Sequence, residues 1–216
     1  MRDDLLGWLR VRSEVPWEQA CPDLAGPVRG RHDGIARAAQ RQERADDPGR
    51  PLRLQAAWDR ARSDAEAGRA LDFGLLSAWQ KLVLGRRDVR FRSSQAFAKG
   101  GRERYGLHPD TRDRFAACLA EASGHGSGIP LPARAARLYL DVSFFHPFDD
   151  GNGRAALLAL GFCLASEQVF LDEAGPLPVR RYADDAAGAV AMAQLVHVLA
   201  KSTAERGLPA SAPTRR

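Results

Sequence analysis

The chain has 216 residues, of which 44% are hydrophobic and 27% are charged. This length and composition are typical of one globular domain with a conventional core, and they exclude a disordered or fibrous chain. Lys and Arg number 32 against 27 Asp and Glu, but the charges are scattered rather than blocked, which disfavours nucleic acid as the partner.

The first 70 residues predict helices separated by turns. An apolar patch lies in the first of these helices, over residues 5–9, and prolines and glycines interrupt the chain over residues 16–30. A further helix is predicted to begin near Pro51, because proline is favoured in the first turn of a helix. We therefore expect residues 1–70 to form an N-terminal helical extension, whose role the sequence does not reveal.

An amphipathic helix is predicted over residues 71–84, where apolar side chains recur at three- and four-residue spacing until Gly85. The next segment, Arg87–Phe97, changes character. Val89 and Phe91 alternate there with polar residues, and a glycine-rich stretch follows. This pattern predicts an exposed hairpin or flap.

Two more helices and a tail are predicted in the second half of the sequence. The first helix begins at Asp110 or Thr111 and ends near Ser123. Residues 124–128 are rich in glycine, but no strand precedes them and no lysine follows, so they predict a flexible connector rather than a phosphate-binding loop. The last helix is predicted over about residues 184–203, and residues 206–216 are predicted to be a flexible tail.

Two strongly apolar helices are predicted on either side of a polar loop. The first opens at Pro130 and ends at His146, since Pro147 disfavours helix at the residue before it. The second runs over about residues 155–166. Helices that are hydrophobic on most faces belong in the centre of a domain. The sequence therefore predicts a mainly α fold built around this pair, with one short β-hairpin and no other sheet.

The loop between these helices, residues 146–154, reads His-Pro-Phe-Asp-Asp-Gly-Asn-Gly-Arg. Polar groups between buried helices each need a partner or water, so residues of this kind in this place usually form a site. Gly151 and Gly153 allow the main chain to approach a ligand closely, and their N–H groups open the next helix, where anions are favoured. Arg154 adds a fork of donors for a phosphate oxygen.

Two further side chains of the loop suit phosphate chemistry. Asp150 is a hard oxygen ligand for a Mg²⁺ ion that bridges phosphates. His146, with an ordinary pKa of about 6.5, can take a proton from a hydroxyl at neutral pH. The alternative is plain turn chemistry, because Asp-Gly and Asn-Gly are common turn dipeptides. With His146 before them and Arg154 after them, the arrangement favours a site for phosphoryl or nucleotidyl transfer.

This stretch resembles the signature of the Fic (Fic/Doc) family, His-Pro-Phe-x-Asp/Glu-Gly-Asn-Gly-Arg-x-x-Arg, and matches it from His146 through Arg154 without a gap. The resemblance covers roughly residues 71–200. It implies a Fic-like helical bundle with a β-hairpin flap, and a catalytic domain over residues 71–205. The activity implied is transfer of AMP from ATP to a Ser, Thr or Tyr hydroxyl of a protein target, with Mg²⁺-bound phosphates held by the loop 150–154.

The resemblance also implies a role for each position of the motif. By position, His146 corresponds to the general base and Asp150 to the Mg²⁺ ligand. Gly151 and Gly153 correspond to the anion hole. Asn152 corresponds to a contact to the α-phosphate, and Arg154 to a contact to the outer phosphates. Phe148 resembles the residue that anchors the loop in the core.

One position departs from the family pattern, because Leu157 stands where the signature has its final Arg. In the family that Arg steadies the outer phosphates and pairs with the Glu of an inhibitory helix, whose pattern is Ser/Thr-x-x-x-Glu-Gly/Asn. No Ser or Thr of this chain has a Glu four residues later. We therefore expect the usual built-in brake to be absent.

Leu157 leaves other activities open. Doc-like members, which phosphorylate proteins, resemble this chain at Leu157 but carry Lys where it has Gly153, so AMP transfer is preferred over phosphorylation. Transfer from another phosphate-diester donor also remains open. A non-catalytic nucleotide-binding module is the third alternative, and the presence of His146 argues against it.

The expected partners and compartment follow from the same observations. The resemblance implies a protein target that docks on the flap, at about residues 87–97, by adding a strand to it. A separate antitoxin-like inhibitor is left open. Cys21, Cys118 and Cys163 lack metal-ligand spacing and predict reduced, mostly buried thiols. There is no apolar signal segment, and the longest apolar stretch is too short to span a bilayer, so we expect a cytoplasmic protein without membrane contact.

Overall fold

The computed structural model of the chain describes residues 2–41, 47–123 and 128–207. Within these residues the helices are α1 (Asp4–Glu14), α2 (Gly34–Gln40), α3 (Arg50–Glu66), α4 (Phe73–Leu84), α5 (Thr111–Ser123), α6 (Leu131–Phe145), α7 (Asn152–Ala165) and α8 (Ala186–Gly207), with a 3₁₀ turn at Trp17–Gln19. The strands are β1 (Val28–Arg29), β2 (Ala96–Ala98), β3 (Glu103–Tyr105) and β4 (Val169–Phe170). The prediction of a mainly α fold is confirmed. No helix in the described part of the chain has the length and apolar character needed to cross a membrane.

Helices α6 and α7 form the centre of the molecule, as their apolar sequences predict. Every residue of α6 except Ser143 is buried, and so is every residue of α7 except Gly153. Helices α5 and α8 pack against α6, while α3 and α4 pack against α7. The two central helices thereby hold the loop between them, residues 146–151, at one end of the bundle.

The N-terminal helices share one hydrophobic core with the rest of the chain. On α1, the indole Nε1 of Trp8 and the Nε of Arg12 both donate to the Asp141 carboxylate of α6, at 2.9 and 2.8 Å. On α3, Trp58 packs beside Gly161 of α7. The segment predicted as an extension therefore contributes buried contacts to both central helices.

The start of α1 also holds the hairpin formed by β2 and β3. The Asp3 carboxylate accepts the N–H of Gly106 at 3.0 Å, and the Asp4 carboxylate accepts the N–H of Arg104 at 2.8 Å. These two acidic residues thus fix the second strand of the hairpin.

The hairpin lies further along the chain than predicted. Its strands pair Ala96 with Tyr105 and Ala98 with Glu103, whereas residues 87–95 belong to no strand. Phe91, expected in the exposed flap, is buried, and its ring contacts those of Phe73 and Phe115 at 5.4 and 5.9 Å. The expectation of an exposed hairpin or flap over Arg87–Phe97 is wrong for Phe91, which packs into the core; within that range only Ala96 and Phe97 belong to the hairpin.

Other predictions differ in small ways from the structure. The parallel pair of β1 and β4, which joins Val28 to Val169, was not predicted, because strands of two residues carry no recognisable alternation. Helix α8 extends to Gly207, so it includes the first two residues of the predicted tail; residues 208–216 lie outside the described residues, as do residues 124–127 of the predicted connector. The three cysteines are buried free thiols, as expected.

Replacing Gly161 tests the contact between α7 and the N-terminal helices. A Cβ at this position would lie 2.3 Å from Cδ1 of Ile35 and 2.6 Å from the ring of Trp58. Gly→Ala ordinarily stabilises a helix interior by about 1 kcal/mol, but overpacking should make Gly161→Ala destabilising by about 1–3 kcal/mol. Denaturant midpoints at constant m-value measure the change.

Gly153 provides the matched control on the same helix, because a Cβ added there meets no atom within 4 Å. Gly153→Ala is expected to leave stability unchanged or slightly raised. Equal effects of the two substitutions would contradict the packing described for α2 and α3 against α7.

Candidate active site

The loop at the end of the bundle begins with His146, which caps the C-terminus of α6 in the left-handed conformation (φ 50°, ψ 53°). Its main-chain N–H donates to the carbonyl of Val142 at 3.3 Å. Phe148, two residues on, is fully buried, and its ring stacks on that of Phe73 at 5.5 Å. The anchoring role implied for Phe148 therefore agrees with its position in the core.

The loop is closed by the buried side chain of Asn152. Its amide Oδ1 accepts the N–H of Phe148 at 2.9 Å, and its Nδ2 donates to the carbonyl of Phe148 at 2.7 Å. The amide of Asn152 therefore shapes the loop in this structure. Contact with a phosphate falls more naturally to its main-chain N–H, because the first N–H groups of a helix have no intrahelical acceptor.

Gly151 makes the turn into α7 with a left-handed backbone (φ 77°) that glycine adopts without strain. The Nε2 of Gln80 donates to the neighbouring carbonyl of Asp150 at 2.6 Å, and a Cβ on Gly151 would lie 2.5 Å from that nitrogen. Sequence reasoning missed Gln80. The signal available was a glutamine on the buried face of the amphipathic helix α4, between Leu76 and Val83.

The imidazole of His146 presents one nitrogen as a base. Its Nδ1 lies 3.2 Å from the carbonyl oxygen of Ser143; a carbonyl only accepts, so Nδ1 carries the proton and Nε2 keeps its lone pair. The ring also stacks on that of Tyr105 of β3, with centroids 5.2 Å apart. The hairpin is thus placed directly against the predicted base.

Burial lowers the pKa of His146 below its ordinary value, and the nearby charges of Arg92 and Lys99 act in the same direction, while the Ser143 carbonyl and Asp150 oppose them. The imidazole is therefore neutral at pH 7 and able to accept a proton. It loses that ability only as the pH falls below its lowered pKa.

Asp150 and Arg154 stand next to each other at the start of α7. The Asp150 side chain is 67% exposed, and its Oδ2 lies 3.3 Å from Nη2 of Arg154. The Arg154 side chain is buried; its Nη1 donates to the carbonyl of Val83 at 3.3 Å, and its Nε has no partner among the described residues. The Arg154 guanidinium is thus buried and has only one long contact with a carboxylate, so some of its N–H groups can still donate to a phosphate oxygen.

Burial also lowers the pKa of Arg154; the neighbouring Arg50 and Arg53 of α3 add to the effect, whereas Asp150 and Asp47 oppose it. Three arginines and two carboxylates thus lie beside the start of α7. The N–H groups of Arg154 and Ala155 both bond to the carbonyl of Gly151, so the earlier N–H groups of α7 are those that face a ligand. The start of α7 and the neighbouring arginines together favour the binding of an anion at this place.

The donor set at the loop fits Mg²⁺ held jointly with a ligand. Asp150 offers an exposed carboxylate, the type of oxygen that this ion prefers. Among residues 2–41, 47–123 and 128–207, no group of three or more His, Cys, Asp or Glu side chains is placed to hold a metal. One protein carboxylate completed by phosphate oxygens is a common way of binding Mg²⁺.

Leu157, which departs from the family pattern, is buried with 1% of its surface exposed. Gly161, one turn further along α7, contacts Trp58 of α3, and residues four apart lie on the same face of a helix. Helix α3 therefore covers this side of α7. A leucine at position 157 suits that apolar surrounding.

Comparison with known proteins supports the resemblance. Residues 70–164 match the family model described as Fic/DOC family, and no curated protein sequence matches the chain. A solved structure, IbpAFic2 covalently tethered to Cdc42, superposes with a TM-score of 0.58 at 14% identity, covering 93% of this chain and 72% of that one.

Two further solved structures show the same fold. A variant of IbpAFic2 in complex with adenylylated Cdc42 gives a TM-score of 0.56 at 12% identity over 94% of this chain and 72% of that one. Fic-1 from C. elegans gives 0.53 at 18% identity over 79% of this chain, which spans 54% of that one. At these identities the likeness concerns the fold.

Proposed function

This chain belongs to the Fic/DOC family through residues 70–164, and from that premise we propose that it transfers AMP from ATP to a hydroxyl side chain of a protein target. The observation that carries the proposal is the free Nε2 of a neutral His146 beside a helix start that favours phosphate. A related fold, that of IbpAFic2, has been observed with adenylylated Cdc42.

In the proposed reaction the target hydroxyl attacks the α-phosphorus of ATP. A bond forms between the hydroxyl oxygen and the α-phosphorus, the bond from the α-phosphorus to the bridging oxygen breaks, and pyrophosphate leaves. His146 accepts the hydroxyl proton at Nε2 as the attack proceeds. The Ser143 carbonyl keeps the other ring nitrogen protonated, so that Nε2 is the nitrogen left to accept the proton.

The start of α7 would hold the phosphates. The main-chain N–H groups of Asn152 and Gly153 are free of intrahelical acceptors, and the buried guanidinium of Arg154 belongs to the same first turn. Mg²⁺, held by Asp150, would neutralise charge on the phosphates. Gly153 leaves open space in front of the helix start, where a side chain would compete with the phosphates.

The decisive experiment is to follow which part of ATP is transferred. Purified protein is incubated with ATP labelled in the α-phosphate, in the γ-phosphate or in the adenine, and label on protein is measured. The proposal expects α-phosphate and adenine label to be transferred together. Transfer of γ-phosphate label alone would mean phosphorylation, as in Doc-like members, and ATP binding without any transfer would mean a non-catalytic nucleotide-binding module.

We further propose that the target docks on the outer edge of β2. Arg104 of β3 is opposite Phe97 of β2, but its N–H donates to Asp4 rather than to β2. The two residues are therefore a non-hydrogen-bonded pair, and the main-chain N–H and C=O of Phe97 point away from β3. The Phe97 side chain is 53% exposed. A target strand could pair with this edge, on the other side of β2 from Tyr105, whose ring stacks on that of His146.

Replacing Phe97 by proline tests this docking edge. Proline removes the outward N–H but is tolerated on an edge strand, so Phe97→Pro is expected to reduce modification of the target about tenfold, the effect of one or two lost hydrogen bonds. ATP affinity should not change. Phe97→Ala is the control, because it removes the side chain and keeps the N–H; an equal loss in both variants would show that the phenyl ring, not main-chain pairing, binds the target.

A further inference from the structure

We infer that Arg92 is a positioning residue, which holds the hairpin in register with the His146 base. The inference rests on the proposed function, because it assigns His146 the role of base. Arg92 lies outside the loop motif, in the segment between α4 and β2, and its side chain is 2% exposed.

The guanidinium of Arg92 joins three separate parts of the main chain. Its Nε donates to the carbonyl of Phe145 at 3.3 Å, its Nη1 to that of Ser94 at 2.6 Å and its Nη2 to that of Gly106 at 2.5 Å. Its main-chain N–H donates to the carbonyl of Pro147 at 2.9 Å. One residue thus makes four hydrogen bonds to main-chain oxygens.

The places of these acceptors explain what the bonds do. Phe145 and Pro147 are the residues on either side of His146, at the end of α6. Ser94 lies just before β2, and Gly106 directly follows β3. Arg92 therefore ties both ends of the hairpin to both sides of the base, so that a target bound to the hairpin meets the imidazole at a fixed distance.

The charge of Arg92 has a second effect. A buried cation that bonds only to carbonyls is costly, and burial lowers the pKa of Arg92 itself, although Asp3 partly offsets this. The same charge lowers the pKa of His146. The groups that face His146 are Arg92 and Lys99, which favour the neutral ring, Asp150, which favours the charged ring, and the stacked Tyr105, whose hydroxyl donates to Glu103.

Two substitutions separate the geometric effect from the electrostatic one. Arg92→Lys keeps the charge but has no planar fork to reach three carbonyls, whereas Arg92→Met loses both. We expect both variants to lower kcat for the protein target by about 10- to 100-fold, as small misplacements of reacting groups do. The KM for ATP should stay within about twofold of wild type, since Arg92 does not contact the start of α7.

The pH profile distinguishes the two variants. Removing a nearby positive charge raises the pKa of His146, so the acid limb of the kcat profile should move to higher pH in Arg92→Met and stay in place in Arg92→Lys. NMR titration of the His146 ring in the nucleotide-free protein gives the same comparison without any activity. Arg10→Met is the matched control, because Arg10 lies on α1, its side chain is 55% exposed, and it pairs with Glu14.

Several results would overturn the inference. Wild-type kcat in Arg92→Lys would remove the positioning role, and an unshifted His146 titration in Arg92→Met would remove the electrostatic one. A parallel loss of ATP affinity and of kcat would make Arg92 a general structural residue. If Arg92→Met fails to fold, Arg92→Lys alone tests the inference, because it must have a lower kcat while the pKa of His146 stays at its wild-type value. A wild-type protein that binds no ATP would instead contradict the proposed function.

Discussion

Substitution of His146 by asparagine is expected to reduce transfer to the target by about 10²–10⁴-fold, the range of general-base catalysis. ATP affinity should be nearly unchanged, because in the proposed reaction the imidazole acts on the acceptor hydroxyl and not on the phosphates. Asparagine is the better choice than alanine, since His146 adopts a left-handed backbone that asparagine tolerates. Single-turnover transfer and equilibrium ATP binding are the two measurements.

His32→Ala is the control for loss of a histidine, because the His32 side chain is exposed and lies far along the chain from the loop. It should transfer at the wild-type rate. In the wild type, the acid limb of the rate profile should fall below about pH 6.5, the ordinary pKa of histidine, since burial lowers the pKa of His146. A His146→Asn protein that keeps more than a tenth of the wild-type rate would contradict the assignment of the base.

Replacing Asp150 by alanine is expected to abolish activation by Mg²⁺ and to lower transfer roughly a hundredfold or more, because a bound metal contributes several kcal/mol to stabilising charge on phosphates. The carboxylate is exposed and ready to bind a cation, while its bond to Arg154 is long at 3.3 Å. The measurement is the rate of transfer as Mg²⁺ is titrated.

Asp149 supplies a matched control for Asp150, since it is the adjacent carboxylate, is also exposed, and falls at the variable position of the motif. Asp149→Ala should follow the wild-type Mg²⁺ curve. Asp150→Asn is a second comparison, because it can keep the bond that Oδ1 of Asp150 accepts from the N–H of Gly151. Identical Mg²⁺ activation in wild type and Asp150→Ala would refute the assignment of the metal ligand.

The central helices and their loop could be predicted from the sequence, because the information there is local. Apolar residues on all faces identify α6 and α7 as buried, and the break at His146 and Pro147 defines the loop. The residue types between them already indicate phosphate chemistry. Burial of Phe148 was expected from the family resemblance alone.

Residues that support the site from a distance could not be predicted. Gln80 reaches the loop from 70 positions away, and Asp3 reaches the hairpin from 103 positions away. No short-range pattern marks such pairs. The position of the hairpin was mispredicted for a related reason, since the destination of Phe91 depends on the rings of α4 and α5 rather than on its neighbours in sequence.

The contacts between Asp141 and α1 show that the segment matched by the family model is shorter than the segment whose buried residues pack together. The segment that carries the family signature, residues 70–164, contains Asp141 but neither Trp8 nor Arg12, its two partners on α1. Excised alone, that segment would lose both α1 side chains that donate to the buried Asp141 carboxylate and would retain Arg137 as the positive charge near it. The segment that matches the family model therefore omits contacts that its own buried residues make, and any transplant of this candidate loop should carry α1 with it.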